Sequence, residues 1–230
     1  MKAMKKWIYL NSDDLADALA LVTVLSNSKD NFNIVRKSVY TPIFQGLDNV
    51  SIGFYDREDE LIKINSISAH SWQEKCIEVS NILGVSIKEK YEPYLGFVKE
   101  TPYLDNSIGN LNEFSILYLF PNLTCEIDLV LIDKLVRILE QQDLKFISAG
   151  SSIIPCIHGT KDYRGIVDIN MVGKWKKQIK FILTTEKSMI ALCEALDIKV
   201  FVLSFNEGIT INRYPVNDAN QIANYILSNI

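Results

Sequence analysis

The feature that most constrains this chain is an alternation. A short apolar run of strand-forming residues is followed by a polar turn and then by a window with helical spacing, and the pattern starts again after residue 110. Lys6 to Leu10 is the first such run. Asn11-Ser12-Asp13-Asp14 supplies helix-capping residues, and Leu15, Ala18, Leu19, Leu21, Val22 and Leu25 then recur at helical spacing. Phe32 to Val35, Val50 to Phe54 and Leu61 to Ile64 are further strand candidates. A helix is predicted over Trp72 to Leu83, with Ile77, Ile82 and Leu83 toward the core and Gly84 closing it.

The second half repeats the order. Strands are predicted at Ser115 to Phe120, Leu144 to Ser148, Phe181 to Leu183 and Lys199 to Leu203. Helices are predicted at Leu129 to Glu140, near Val172 to Lys177, from Lys187 to Leu196 and from Asn217 to Leu227. Such alternation implies parallel sheets with both faces covered. The expected fold is therefore α/β: two Rossmann-like, doubly wound domains facing across a cleft. Their boundary is placed in the polar stretch 105–110, giving domains 1–108 and 109–230.

Composition narrows the function classes. A net charge of −4 argues against a general nucleic-acid binder. Cys76, Cys125, Cys156 and Cys193 form no CxxC pair, and with only His70 and His158 beside them no zinc site is expected. They read as reduced thiols of a cytoplasmic protein. The apolar run at the N-terminus stops at Leu10, too short for a signal peptide, and no stretch approaches the roughly 20 apolar residues of a spanning helix. A peripheral membrane contact is compatible with the sequence. It carries no GxGxxG, P-loop or GxSxG motif.

Ligands of doubly wound sheets gather at strand-to-helix turns, and three turns qualify. In the first, Asp13 and Asp14 read chiefly as helix caps. Asp17 lies one turn further in. It reads either as an exposed helix aspartate or as a carboxylate aimed into the cleft, where it would take a proton from a hydroxyl. In the second, Thr184-Thr185-Glu186 reads as the cap of the helix beginning at Lys187. That helix start would offer free N–H groups, threonine hydroxyls and a lysine to a diphosphate, or would be a plain cap. In the third, Asn122 and Thr124 offer neutral donors after the Phe120 strand.

Taken together, these segments resemble the ADP-heptose:lipopolysaccharide heptosyltransferases, glycosyltransferases of GT-B fold. Leu15-Ala16-Asp17 resembles that family's L-G-D turn, and Leu83-Gly84-Val85 its L-G-V/L helix end. Ile157 to Gly165 is similar to a G-x-x-D-L-R-G segment. Phe181 to Leu196, FILTTEKSMIALCEAL, is similar to the F-I-G-x-D-S-G-x-M-H-L-A-A-A-L signature. The chain departs from it at Glu186-Lys187-Ser188, where the family has D-S-G, and at Ala191, where it has histidine.

The resemblance implies transfer of a sugar, such as heptose, from a nucleotide-diphosphate donor to a glycan or lipid-linked acceptor of lipopolysaccharide type. It implies neither a cofactor nor a metal. Asp17 would be the catalytic base, and Ser12 and Asp13 would contact the acceptor. Asn122, Thr124, Thr185, Glu186, Lys187 and Ser188 would hold the donor. The departures motivate a second reading, a non-catalytic nucleotide-sugar or glycan-binding relative. A nucleotide-sugar epimerase of similar shape is a third.

Overall fold

The computed structural model describes residues 6–12, 14–36, 41–44, 46–96, 113–119, 127–165, 172, 176–187, 189–205 and 208–230. The chain divides into two compact units, Met1–Lys99 and Glu100–Ile230. The boundary expected at 108 lies outside the described residues, as do positions 173–175 of the short helix expected near 172–177.

The first unit contains β1 (Lys6–Leu10), α1 (Leu15–Asn27), β2 (Phe32–Val35), a 3-10 turn (Thr41–Phe44), β3 (Val50–Gly53), β4 (Glu60–Ile64) and α2 (Trp72–Leu83). Its sheet has the order β3-β2-β1-β4, with every pairing parallel. The chain steps from β1 outward to β2 and β3, then returns to β4 on the other side of β1. The switch in winding direction therefore falls between β1 and β4.

Helix α1 is apolar nearly all round, as a helix enclosed by its unit should be. Ala16 and every residue from Ala18 to Val22 are fully buried. Helix α2 begins with a reciprocal capping box between Ser71 and Glu74 and ends on Gly84 in the left-handed conformation, φ 67°. Its buried face is Trp72, Lys75, Cys76, Val79 and Ser80. This corrects the face predicted from sequence: Ile77 and Leu83 are half-buried and Ile82 is exposed. The chain after α2 folds back over it. Tyr91 is buried, its hydroxyl 2.7 Å from Ser80 Oγ, and its carbonyl accepts from Trp72 Nε1 at 3.1 Å.

The second unit contains β5 (Phe114–Leu119), α3 (Leu129–Glu140), β6 (Phe146–Gly150), β7 (Lys161–Asp162), β8 (Ile179–Thr184), α4 (Met189–Leu196), β9 (Val200–Ser204), β10 (Thr210–Ile211), β11 (Tyr214–Pro215) and α5 (Ala219–Leu227). The sheet order is β11-β10-β9-β8-β5-β6-β7. Strands β9, β8, β5, β6 and β7 are parallel, and β10 and β11 extend the sheet as an antiparallel edge. Here the winding switches between β5 and β8. All six residues of β5 are buried, as expected of a central strand covered on both faces.

Alternation along β9 sends Phe201 and Leu203 to the face packed under α3 and α5. There Phe146, Phe181, Phe201 and Tyr225 form an edge-to-face series with centroid spacings of 5.8, 5.3 and 6.2 Å. Each such pair contributes about 0.5–1.5 kcal/mol beyond area burial.

Strand β6 begins two residues later than Leu144 and ends at Gly150, and this last residue meets the end of β5 closely. Gly150 has φ 93°, and a Cβ there would lie 2.1 Å from the Leu119 carbonyl oxygen. The loop after β7 is tied back to β6 by Tyr163 N–H to the Ser148 carbonyl and Gly165 N–H to the Gly150 carbonyl. The two doubly wound, largely parallel sheets agree with the fold class expected from the sequence.

Candidate functional site

In a doubly wound sheet the crevice opens beyond the carboxyl ends of the strands where the winding switches. In the first unit those ends are Leu10 and Ile64, joined just beyond the sheet by a 2.7 Å bond from Asn11 N–H to the Ile64 carbonyl. The turn into α1 leaves from this point. Asp14 is the N-cap of α1, its Oδ1 accepting from Ala16 N–H at 2.8 Å. Ser12 Oγ accepts from Asp14 N–H at 3.2 Å and donates to Asp17 Oδ2 at 2.6 Å.

Asp17 is fully buried. Its Oδ1 receives Lys75 Nζ at 2.6 Å, and its Oδ2 also accepts from Ile67 N–H at 3.1 Å. Lys75 is almost as deeply enclosed, at 3% exposure. Its ammonium donates to Asp17, to the Ile67 carbonyl at 3.2 Å and to Asp14 Oδ2 at 3.5 Å. A buried ion pair is tolerable only when its remaining lone pairs and protons are satisfied, and here they are. The expectation of an open Asp17 aimed into a cleft is therefore corrected. The residue is the buried counter-ion of Lys75, with both oxygens committed.

The carboxylate that remains partly open is Asp14, whose side chain is 17% exposed. Partial burial raises its pKa above the ordinary aspartate value, the negative charge of Asp17 adds to the rise, and Lys75 offsets part of it. A carboxylate shifted in that direction accepts a proton more readily at neutral pH than an ordinary one.

Sequence reasoning missed Lys75. A signal for it exists: it lies three residues after Trp72 and four before Val79, in the middle of the packed face of α2. A lysine there needs a buried partner.

In the second unit the corresponding strand ends are Leu119 and Thr184. Strand β8 runs through Thr184, which is buried, and its Oγ1 accepts from Glu186 N–H at 3.0 Å. Helix α4 begins only at Met189, with Met189 N–H bonded to the Glu186 carbonyl and Ile190 N–H to that of Lys187. The helix expected from Lys187 thus starts two residues later, and two of the N–H groups expected to be free are engaged in the turn.

Thr185, Glu186 and Lys187 lie together in this turn. Thr185 Oγ1 is shielded from solvent and has no hydrogen-bond partner among the described residues. Lys187 is exposed and borders a groove of about 650 Å³ with Ile190, Val202, Ser204, Thr210 and Arg213. That volume falls within the range of small-molecule pockets. Asp13, Asn122, Thr124 and Ser188 lie outside the described residues.

His70 and His158 are exposed. Cys76 and Cys193 are buried thiols, each pushed up to about 12 by desolvation. Among the described residues no group of three His, Cys, Asp or Glu side chains is placed to hold a metal ion, and no helix is long and apolar enough to cross a membrane.

No family model matches the chain, and no curated protein matches it in sequence. Solved structures do. The Escherichia coli heptosyltransferase WaaC with ADP is similar at TM-score 0.60 and 10% identity, covering 97% of each chain. The same enzyme with ADP-2-deoxy-2-fluoro heptose gives TM-score 0.59 and 10% identity over 98% of this chain and 100% of that one. A glycosyl transferase family 9 protein from Veillonella parvula DSM 2008 gives 0.56 and 9%, over 87% and 81%. At these identities the likeness is one of fold. The chain has the fold of the GT-B heptosyltransferases.

Proposed function

We propose that this chain, built on the heptosyltransferase fold, is itself a glycosyltransferase that moves a sugar, such as a heptose, from a nucleoside-diphosphate donor to a hydroxyl of a glycan or lipopolysaccharide-type acceptor. The observation that carries this reading is the polar turn at the first unit's winding switch, where Asp14 stands partly open with a raised pKa. The proposed location is the cytoplasm.

In this reading the second unit takes the donor at the turn after β8. The Thr185 hydroxyl, unpartnered among the described residues, and the Lys187 ammonium are suited to an anionic diphosphate. Glu186 would accept from a ribose or sugar hydroxyl, and Asn122, Thr124 and Ser188 complete the proposed donor set. The acceptor binds at the first unit's turn, with Ser12 and Asp13 beside it. Its hydroxyl oxygen attacks the anomeric carbon. The bond from that carbon to the diphosphate breaks, and the nucleoside diphosphate leaves with the electron pair. Asp14 accepts the hydroxyl proton. The base role expected of Asp17 passes to Asp14 because Asp17 is sealed against Lys75.

The test is transfer from ADP-heptose, ADP-glucose and UDP-glucose to a truncated lipopolysaccharide core, measured for the wild type and Asp14→Asn. Transfer by the wild type and its loss in the variant support the reading. Undiminished turnover of Asp14→Asn removes Asp14 from the mechanism.

The replacement of D-S-G by Glu186-Lys187-Ser188 favours one alternative, a nucleotide-sugar-binding relative without turnover. Calorimetry with the same donors separates the two, since binding with neither transfer nor hydrolysis selects the alternative.

A further inference from the structure

The contacts of Lys75 exceed what neutralising Asp17 requires. One ammonium joins three segments. It meets Asp17 on α1 at 2.6 Å, the Ile67 carbonyl on the β4–α2 connection at 3.2 Å, and Asp14 at the head of α1 at 3.5 Å. Both backbone groups of Ile67 are held by the pair, since its N–H donates to Asp17 while its carbonyl accepts from Lys75. Two of the three ammonium donors are thus fixed on buried acceptors, and the third has one direction left, toward Asp14.

We propose that Lys75 is a positioning residue for Asp14: anchored on Asp17 and Ile67, its ammonium holds the Asp14 carboxylate in one orientation at the mouth of the turn. The positioning role rests on the transferase reading above; the coupling of Lys75 to Asp14 does not, and it can be measured without turnover. The other Asp14 oxygen is held by Ala16 N–H at 2.8 Å, so the two contacts together define the plane of the carboxylate. The charged groups facing Asp14 among the described residues are Asp17 from α1 and Lys75 from α2. Their effects on Asp14 oppose each other. Asp17 makes its proton harder to remove, and Lys75 keeps it ionised and in place.

The test compares two variants of the full chain that both lack the Asp17 charge. Asp17→Asn leaves Lys75 facing Asp14. Asp17→Asn/Lys75→Gln removes the ammonium and leaves no lone charge buried. The Asp14 carboxyl is followed by carbon-13 NMR titration, its signal assigned by disappearance in Asp14→Asn. Asp14 is expected to titrate at higher pH in the double variant than in Asp17→Asn. Sugar transfer at pH values where Asp14 is fully ionised in both is expected to be about ten- to a hundredfold lower in the double variant, a part of what a placed general base contributes. Coincident Asp14 titrations in the two folded variants overturn the proposal, whatever the activity. An absence of transfer in the wild type sinks the transferase reading instead, while the titration still decides whether Lys75 governs Asp14.

Discussion

The two units present their winding-switch turns in opposite conditions. In the first unit the Ser12 hydroxyl, the Asp17 carboxylate and the Lys75 ammonium all have partners, and the cluster is closed by a buried ion pair. In the second, the turn between β8 and α4 holds a shielded threonine hydroxyl without a partner among the described residues and an exposed lysine beside an open groove. Among the described residues, the same architecture therefore carries one turn whose carboxylates are all partnered and one that holds an unpartnered hydroxyl. An internally complete cluster fixes the direction of a carboxylate, whereas an incomplete one leaves donors for a ligand. The difference is what the proposed division would require, with proton transfer assigned to the first unit and donor binding to the second.

The comparison can be broken most sharply at Asp14. Asparagine caps a helix as well as aspartate, so Asp14→Asn should keep α1 intact while lowering transfer by about 10²–10⁴-fold, the ordinary contribution of a general base. In the wild type, the acid limb of kcat/KM should lie above the usual aspartate range, because burial and Asp17 both raise the Asp14 pKa. The linkage sign also follows. A carboxyl whose folded pKa is raised binds its proton more tightly in the folded state, so its contribution to stability falls as pH rises from the unfolded value through the folded one. Asp14→Asn should accordingly flatten that fall in a urea-denaturation series across pH.

Lys75→Met comes next. It leaves Asp17 charged and unpaired in the core and should cost about 3–5 kcal/mol, read from the urea midpoint of the first unit's transition. A loss below about 1 kcal/mol would mean that water reaches Asp17 and that the first turn is less closed than the structure has it.

Gly150→Ala tests the frame of the second unit. The positive φ and the 2.1 Å approach to the Leu119 carbonyl predict a loss of about 1–3 kcal/mol or more, confined to that unit's transition.

The smallest effect is the most discriminating. Thr185→Val removes a shielded hydroxyl that lacks a partner. It should leave stability unchanged or raise it by up to about 1 kcal/mol, yet weaken nucleoside-diphosphate binding by about tenfold in calorimetry. A variant that loses stability and keeps affinity would reverse the contrast between the two turns.

Much of the fold was legible because local signals agreed with tertiary demands. Ser71, Glu74 and Gly84 bracket α2 with cap chemistry, and both ends fall where the sequence puts them. The apolar run from Ser115 reads as a strand, and it is one, buried along its whole length. The start of α4 was misread because Thr184-Thr185-Glu186 resembles a cap, while sheet pairing claims Thr184 for β8 and its hydroxyl closes the turn. The β10–β11 hairpin escaped because its tight turn uses Asn212 and Arg213 at φ 49° and 69° with no glycine to mark it.

The site was legible only in outline. The acidic turn after β1 could be located, but which aspartate is enclosed depends on a lysine 58 positions further along, and no local pattern carries that information. Asp17, one turn into α1, looked free of capping duty and so available. The fold uses that freedom to bury it.

That separation along the chain has a consequence for how the first unit is made. During synthesis Asp17 leaves the ribosome long before Lys75, so a nascent fragment ending before α2 holds an aspartate in an apolar helix without the ammonium that pairs with it. The ion pair that closes the acidic turn can form only after α2 has emerged, so the turn is completed late in the synthesis of the unit.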